Sequence, residues 1–181
     1  GEGVWRCQLR DSAVSMTALR ENPTWPARAL LLASVVERSC GKTGLISTKD
    51  LMAKLETGID PEDQLETGHL GAVKGVNRFE DCNGLIVCGR LAIPPSAAER
   101  TAAVLLDQDI LPTGAKHFPK AKGYIAGRKP GTGWPVETDT HEDPAVNAAR
   151  ASVTEDQLEQ ARGRGRNTRR TVENPIIEHL F

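Results

Sequence analysis

The run Gly84-Leu85-Ile86-Val87-Cys88-Gly89 constrains this chain more than any other stretch. An extended segment points successive side chains to opposite faces, so four consecutive apolar residues leave neither face fit for water. Glycine bounds the run at both ends. A strand of that kind belongs in the centre of a parallel sheet.

The segments around it alternate between strand and helix. Residues 4–9 read as a strand or loop, and Ala13–Arg20 as a short helix. Asn22-Pro23 marks a turn. Thr24 can cap a helix through Ala29, Leu30, Leu32 and Val36, which Gly41 should end. A strand over Thr43–Ser47 follows, and Thr48-Lys49-Asp50 starts a helix carrying Leu51, Met52 and Leu55. Residues 57–66 are acidic and read as a surface loop. From His69 the chain reads as strand, glycine-bearing turn and the buried strand already named. Ser96 with Glu99 forms a capping-box pattern for a helix to Asp107, expected to bury Ala103, Leu105 and Leu106.

Residues 110–122 form a Pro/Gly/Lys loop made basic by Lys116, His117, Lys120 and Lys122. The segments 124–128 and 134–140 alternate around a Gly/Pro turn and predict a β-hairpin. Asp143 before Pro144 is an N-cap with proline at N1, better read so than as part of a metal cluster with His141 and Glu142. Thr154 with Gln157 marks a second helix start, and Pro175–Phe181 reads as a last strand. The order predicts an α/β fold with a mostly parallel sheet. We expect one domain over residues 1–181, with the hairpin inserted at about 123–140.

Composition narrows function. A formal net charge of -1 creates no global field toward nucleic acid, so attraction must come from local patches. Aromatic residues are only 4%, which argues against base-stacking platforms. No apolar run has membrane-spanning length, and the N-terminus does not read as a signal peptide. Cys7, Cys40, Cys82 and Cys88 form no C-x-x-C pair and read as ordinary thiols of a reduced, cytoplasmic protein; no metal site is expected. Gly41-Lys42-Thr43 invites a phosphate-loop reading, but that pattern needs glycine where Val36 stands, and the helix precedes the strand.

The densest charge lies in Arg162, Arg164, Arg166, Arg169 and Arg170, around Gly163 and Gly165. Guanidinium groups on a glycine-loosened helix end suit phosphate oxygens, though an Arg run alone is commonly just a solvated face. The residue order adds to this. Gln160, Gly163 and Arg164 resemble the Q-x-x-G-R core of motif VI in superfamily 2 helicases. Gly75, Asn77 and Phe79, just before a hydrophobic strand, resemble motif V, where the family commonly has Asp in place of Asn77. The strand leading to Thr48-Lys49 is similar to motif IV. The wider pattern from His69 to Asp81, with Gln160–Thr171 and Asn174-Pro175, resembles helicase-like proteins of prophages and plasmids, sometimes fused to primase-like domains.

That resemblance implies a three-layer, RecA-like second lobe of an ATP-dependent helicase or translocase. A missing first lobe of the same parent protein would hold most of ATP and Mg2+. Arg164, with Arg166 as alternate, would be the catalytic arginine. Gln160, Gly163, Gly75 and Asn77 would face the nucleotide. Thr48, Lys49, Arg169 and Arg170 would contact nucleic acid, DNA in preference to RNA, in a role tied to replication. The isolated chain is expected to be inactive. The alternative is a non-catalytic module that uses Arg162–Arg170 to bind nucleic acid or to form an oligomer interface.

Overall fold

The central strand Gly84–Val87 is apolar on both faces and flanking segments cover both, which suits parallel pairing. In a computed structural model, which describes residues 4–8, 23–73, 75–126, 131–166 and 169–180, β2 (Thr43–Ser47) and β4 (Gly84–Val87) are buried along their whole length. They pair in parallel, Leu45 opposite Ile86. β3 (Leu65–His69) adds to the other side of β2, and β7 (Ile176–Leu180) to the other side of β4. β1 (Val4–Gln8) completes the sheet beside β7, giving the order β1-β7-β4-β2-β3 with every pairing parallel. The final segment thus joins the sheet as predicted. The strand assigned near His69 lies earlier, ending at that residue. The predicted helix at Ala13–Arg20 lies outside the described residues.

Side-chain alternation divides the core in two. Leu45, Ile86 and Cys88 pack with α1 (Trp25–Cys40) and α2 (Lys49–Leu55) through Ala29, Ala33, Val36, Leu51 and Leu55. Ile46, Leu85, Val87 and Ile176 pack instead against Leu70, Val73, Phe79, Cys82 and Ala161. The sheet is therefore covered on both faces, a three-layer α/β arrangement. Gly41 ends α1 at φ 79°, its N–H donating to Glu37 O. Among the described residues no helix is long and apolar enough to cross a membrane.

The sequence reads as one domain with a hairpin inserted at about 123–140. The chain forms two compact units, residues 1–91 with 155–181, and residues 92–154. The second unit contains α3 (Pro95–Leu106), the antiparallel hairpin β5 (Lys120–Ala126) and β6 (Gly133–Asp139), and the first half of α4 (Pro144–Gly163). Its core is Ala98, Ala102, Val146 and Ala149.

Three local expectations fail in this region. α3 starts at Pro95 behind Pro94, so Ser96 lies inside the helix rather than capping it. Leu105 and Leu106 are exposed, because the buried stripe is Pro95, Ala98, Glu99 and Ala102. Thr154 starts no helix. It sits buried in the middle of α4, whose first turn is capped by Asp143 Oδ1 accepting from Ala145 N–H at 2.7 Å. The cap at Asp143 is the one the sequence predicted.

Candidate functional site

The loop from β3 to β4 carries the Gly75-Asn77-Phe79 pattern. Gly75 adopts φ 78°, and a Cβ there would meet nothing within 4 Å. Glycine is needed for the backbone turn, not for space. Phe79 is fully buried. Its ring lies against Gly44 of β2 and Gly68 of β3: a Cβ on either would come within 2.9 Å and 2.8 Å of ring carbons. Two glycines on adjacent strands thus make a seat that only a bare backbone provides. The Arg78 guanidinium lies 5.2 Å from the ring centroid. Glu80 N–H donates to Asn77 O, so Asn77 and Glu80 stand on one turn pinned through Phe79.

The arginine stretch begins where α4 unwinds. Arg164, Gly165 and Arg166 N–H groups donate to Ala161, Arg162 and Gly163 carbonyls, three residues back. This tightening is usual at helix ends. Arg166 then takes φ 56°, a left-handed conformation that side chains other than glycine rarely adopt.

The five arginines differ sharply. Arg162 Nε lies 3.4 Å from Glu178 Oε2 on β7, and Glu178 is fully buried; Arg162 also pairs with Glu159 on its own helix. Arg166 Nη2 donates to Asn77 Oδ1 at 3.2 Å and lies 2.8 Å from Glu80 Oε2. Arg170 is 7% exposed. Its Nε donates to Gly165 O, Nη1 to Asn174 Oδ1, and Nη2 to both Glu80 O and Cys82 O. Burial pulls its pKa down, a shift that Cys82 and Asp81 oppose. Arg169 is exposed. Arg164 is half-buried, and its Nε is buried with no hydrogen-bond partner among the described residues.

Arg170, expected to contact nucleic acid, has its fork turned inward, onto the carbonyls of Gly165, Glu80 and Cys82 and the side-chain amide of Asn174. The other predicted residues fall into two places. Asn77 meets Arg166, while Gln160 (half-buried), Gly163 (exposed) and Arg164 lie on the same helix end. Thr48 and Lys49 stand elsewhere, just beyond the carboxyl end of β2. Arg170, through Cys82 O, lies by the amino end of β4. Because β2 and β4 run parallel, these are opposite edges of the sheet.

The carboxyl edge has its own geometry. The chain leaves β2 for β3 on one side and returns to β4 on the other, so strand order reverses between β2 and β4. In open parallel sheets ligands bind in the crevice beyond such a point. Here Ser47 Oγ donates to Cys88 O at 2.8 Å, and the buried Thr48 hydroxyl has no hydrogen-bond partner among the described residues. Lys49 is exposed beside it.

Residues that sequence reasoning missed include Glu80, Glu178 and the glycine seat at Gly44 and Gly68. Nothing local marks Glu80, an acidic residue in a polar loop. Cys82 and Cys88 are buried thiols, pushed up to about 11 and about 12 chiefly by desolvation, so both stay protonated near neutrality. Among the described residues no group of three or more His, Cys, Asp or Glu is arranged to hold a metal ion. No family model, no curated protein and no solved structure matches this chain.

Proposed function

We propose that this chain is the second, RecA-like lobe of a nucleic-acid-dependent ATPase of the superfamily 2 helicase type. One observation carries the reading: Arg166 of the motif VI-like stretch is hydrogen-bonded to Asn77 of the motif V-like loop, 89 positions away in sequence. Two motifs that must cooperate at one nucleotide are packed against each other, not scattered over the surface.

The division of labour follows from which arginines are already engaged. Arg162 and Arg170 brace the lobe. Arg164, whose buried Nε has no acceptor among the described residues, is the better choice for stabilising charge on a γ-phosphate as it transfers to water. Gln160 and Gly163 would lie beside it, and Gly75 and Asn77 would relay nucleotide state through Arg166. ATP and Mg2+ would be held mainly by a first lobe of the parent protein. Thr48 and Lys49, at the switch between β2 and β4, would meet the nucleic-acid backbone, most suitably DNA, with Arg169 as a further contact.

The test uses the parent protein containing both lobes. Arg164→Ala should lower ATP turnover by about a thousandfold or more while KM for ATP changes by less than about tenfold. Unchanged turnover rejects Arg164 as the catalytic arginine. Salt-sensitive nucleic-acid binding with no ATPase in the parent protein would favour a non-catalytic binding module instead.

A further inference from the structure

Arg166 is held differently from its neighbours. Its side chain is 34% exposed and that of its partner Glu80 is 38% exposed, whereas Arg162 faces a fully buried carboxylate and Arg170 is itself buried. A half-exposed ion pair contributes little and exchanges readily with another anion. Glu80 is the half with the fixed backbone, because it directly follows Phe79 on the loop pinned to Gly44 and Gly68, and its own carbonyl is held by Arg170. The arginine is the half that can leave: it stands at φ 56° just past the end of α4.

We infer that Glu80 is a positioning residue that parks Arg166, and that Arg166 exchanges between Glu80 and the phosphates of a bound nucleoside triphosphate. Asn77 keeps a neutral acceptor beside the guanidinium in the parked state. Arrival of a polyphosphate replaces one carboxylate with several anionic oxygens, which a planar guanidinium binds in bidentate fashion. The exchange releases Arg166 from the Asn77-Glu80 turn, so the loop reports whether phosphate is present. This inference rests on the nucleotide-facing reading of the arginine stretch, but it is tested separately from it.

The experiment titrates inorganic tripolyphosphate into the 181-residue chain and follows the side-chain Nε–H signals of arginine by NMR. Glu80→Gln removes the competing charge and should tighten binding about threefold to fivefold. In Arg166→Gln the same change at position 80 should have no effect, because the competition acts through Arg166. A gain that persists without Arg166 would be simple removal of a negative charge, and would overturn the exchange. So would unchanged or weaker binding in Glu80→Gln, provided its thermal melt matches the parent chain. If the coupling holds while Arg164→Ala leaves ATPase intact in the parent protein, the parked arginine stands and the catalytic assignment falls. The reverse pair of results removes only the parking role.

Discussion

At the residue scale, neighbouring arginines of one run carry different energetics. Arg170 supplies donors to three backbone carbonyls and one side-chain amide, all from a nearly buried position. Arg170→Ala would leave Glu80 O and Cys82 O without their donor and should destabilise the fold by about 3 kcal/mol, read as a lower urea midpoint with an unchanged slope. Arg170→Lys should recover little, since an ammonium cannot reproduce the fork. Arg166→Gln should shift stability by less than about 1 kcal/mol, because its ion pair is half-exposed. A large loss in Arg166→Gln would make that residue a second brace and not an exchangeable contact.

At the scale of elements, α4 and α3 show how a cap is chosen. Two N-cap signals precede or lie within α4. Asp143 wins because Pro144 follows it, and the helix then continues past Thr154 without interruption. Asp143→Ala should therefore cost about 1 kcal/mol in thermal unfolding, whereas Thr154→Ala should show no capping loss. In α3 the buried stripe includes Glu99, only 2% exposed, whose Oε1 accepts from Thr113 Oγ1 at 2.6 Å and Thr113 N–H at 2.9 Å. His141 Nε2 lies 3.4 Å away, with Asp143 N–H on its Nδ1. The Thr113 hydroxyl, first among these partners, holds the Glu99 carboxyl below its ordinary value. The folded-state pKa is thus lowered, so the stabilisation is complete above the unfolded value of about 4.3 and is lost as pH falls through the lower folded value. Melting temperature should drop steeply below about pH 4.3, and Glu99→Gln should flatten that acid limb. Parallel acid limbs in the two proteins would show that Glu99 is not its source.

Within the first unit as a whole, the parallel sheet separates two sets of residues along one axis. The arginine cluster meets the loop leading into β4, and Thr48-Lys49 stands beyond the carboxyl end of β2. If the carboxyl edge meets a phosphate backbone, Lys49→Ala in the parent protein should weaken binding of single-stranded DNA uniformly across sequences and reduce the salt slope by about 1. The same change should leave ATP turnover at saturating DNA near its original value. An unaltered salt slope would remove Lys49 from the interface. The fold connects the two ends through β2 itself, since Gly44 seats Phe79 near one end and Thr48 follows the other.

Much of the fold was legible in the sequence because its causes are local. A continuous apolar run dictates a buried strand, a Gly/Pro turn between alternating segments dictates a hairpin, and Asp-Pro sets a helix start. Gly75 in a turn could also be anticipated from residue order. What the tertiary structure alone decided was which polar groups of distant segments would be left needing partners. Arg170 turns inward because the loop 80–82 presents carbonyls to it, Arg166 stays at the surface because Glu80 and Asn77 happen to face it, and Phe79 is buried because two glycines on neighbouring strands leave room for its ring. None of these has a local signature, since each depends on groups brought together from separate elements of the fold.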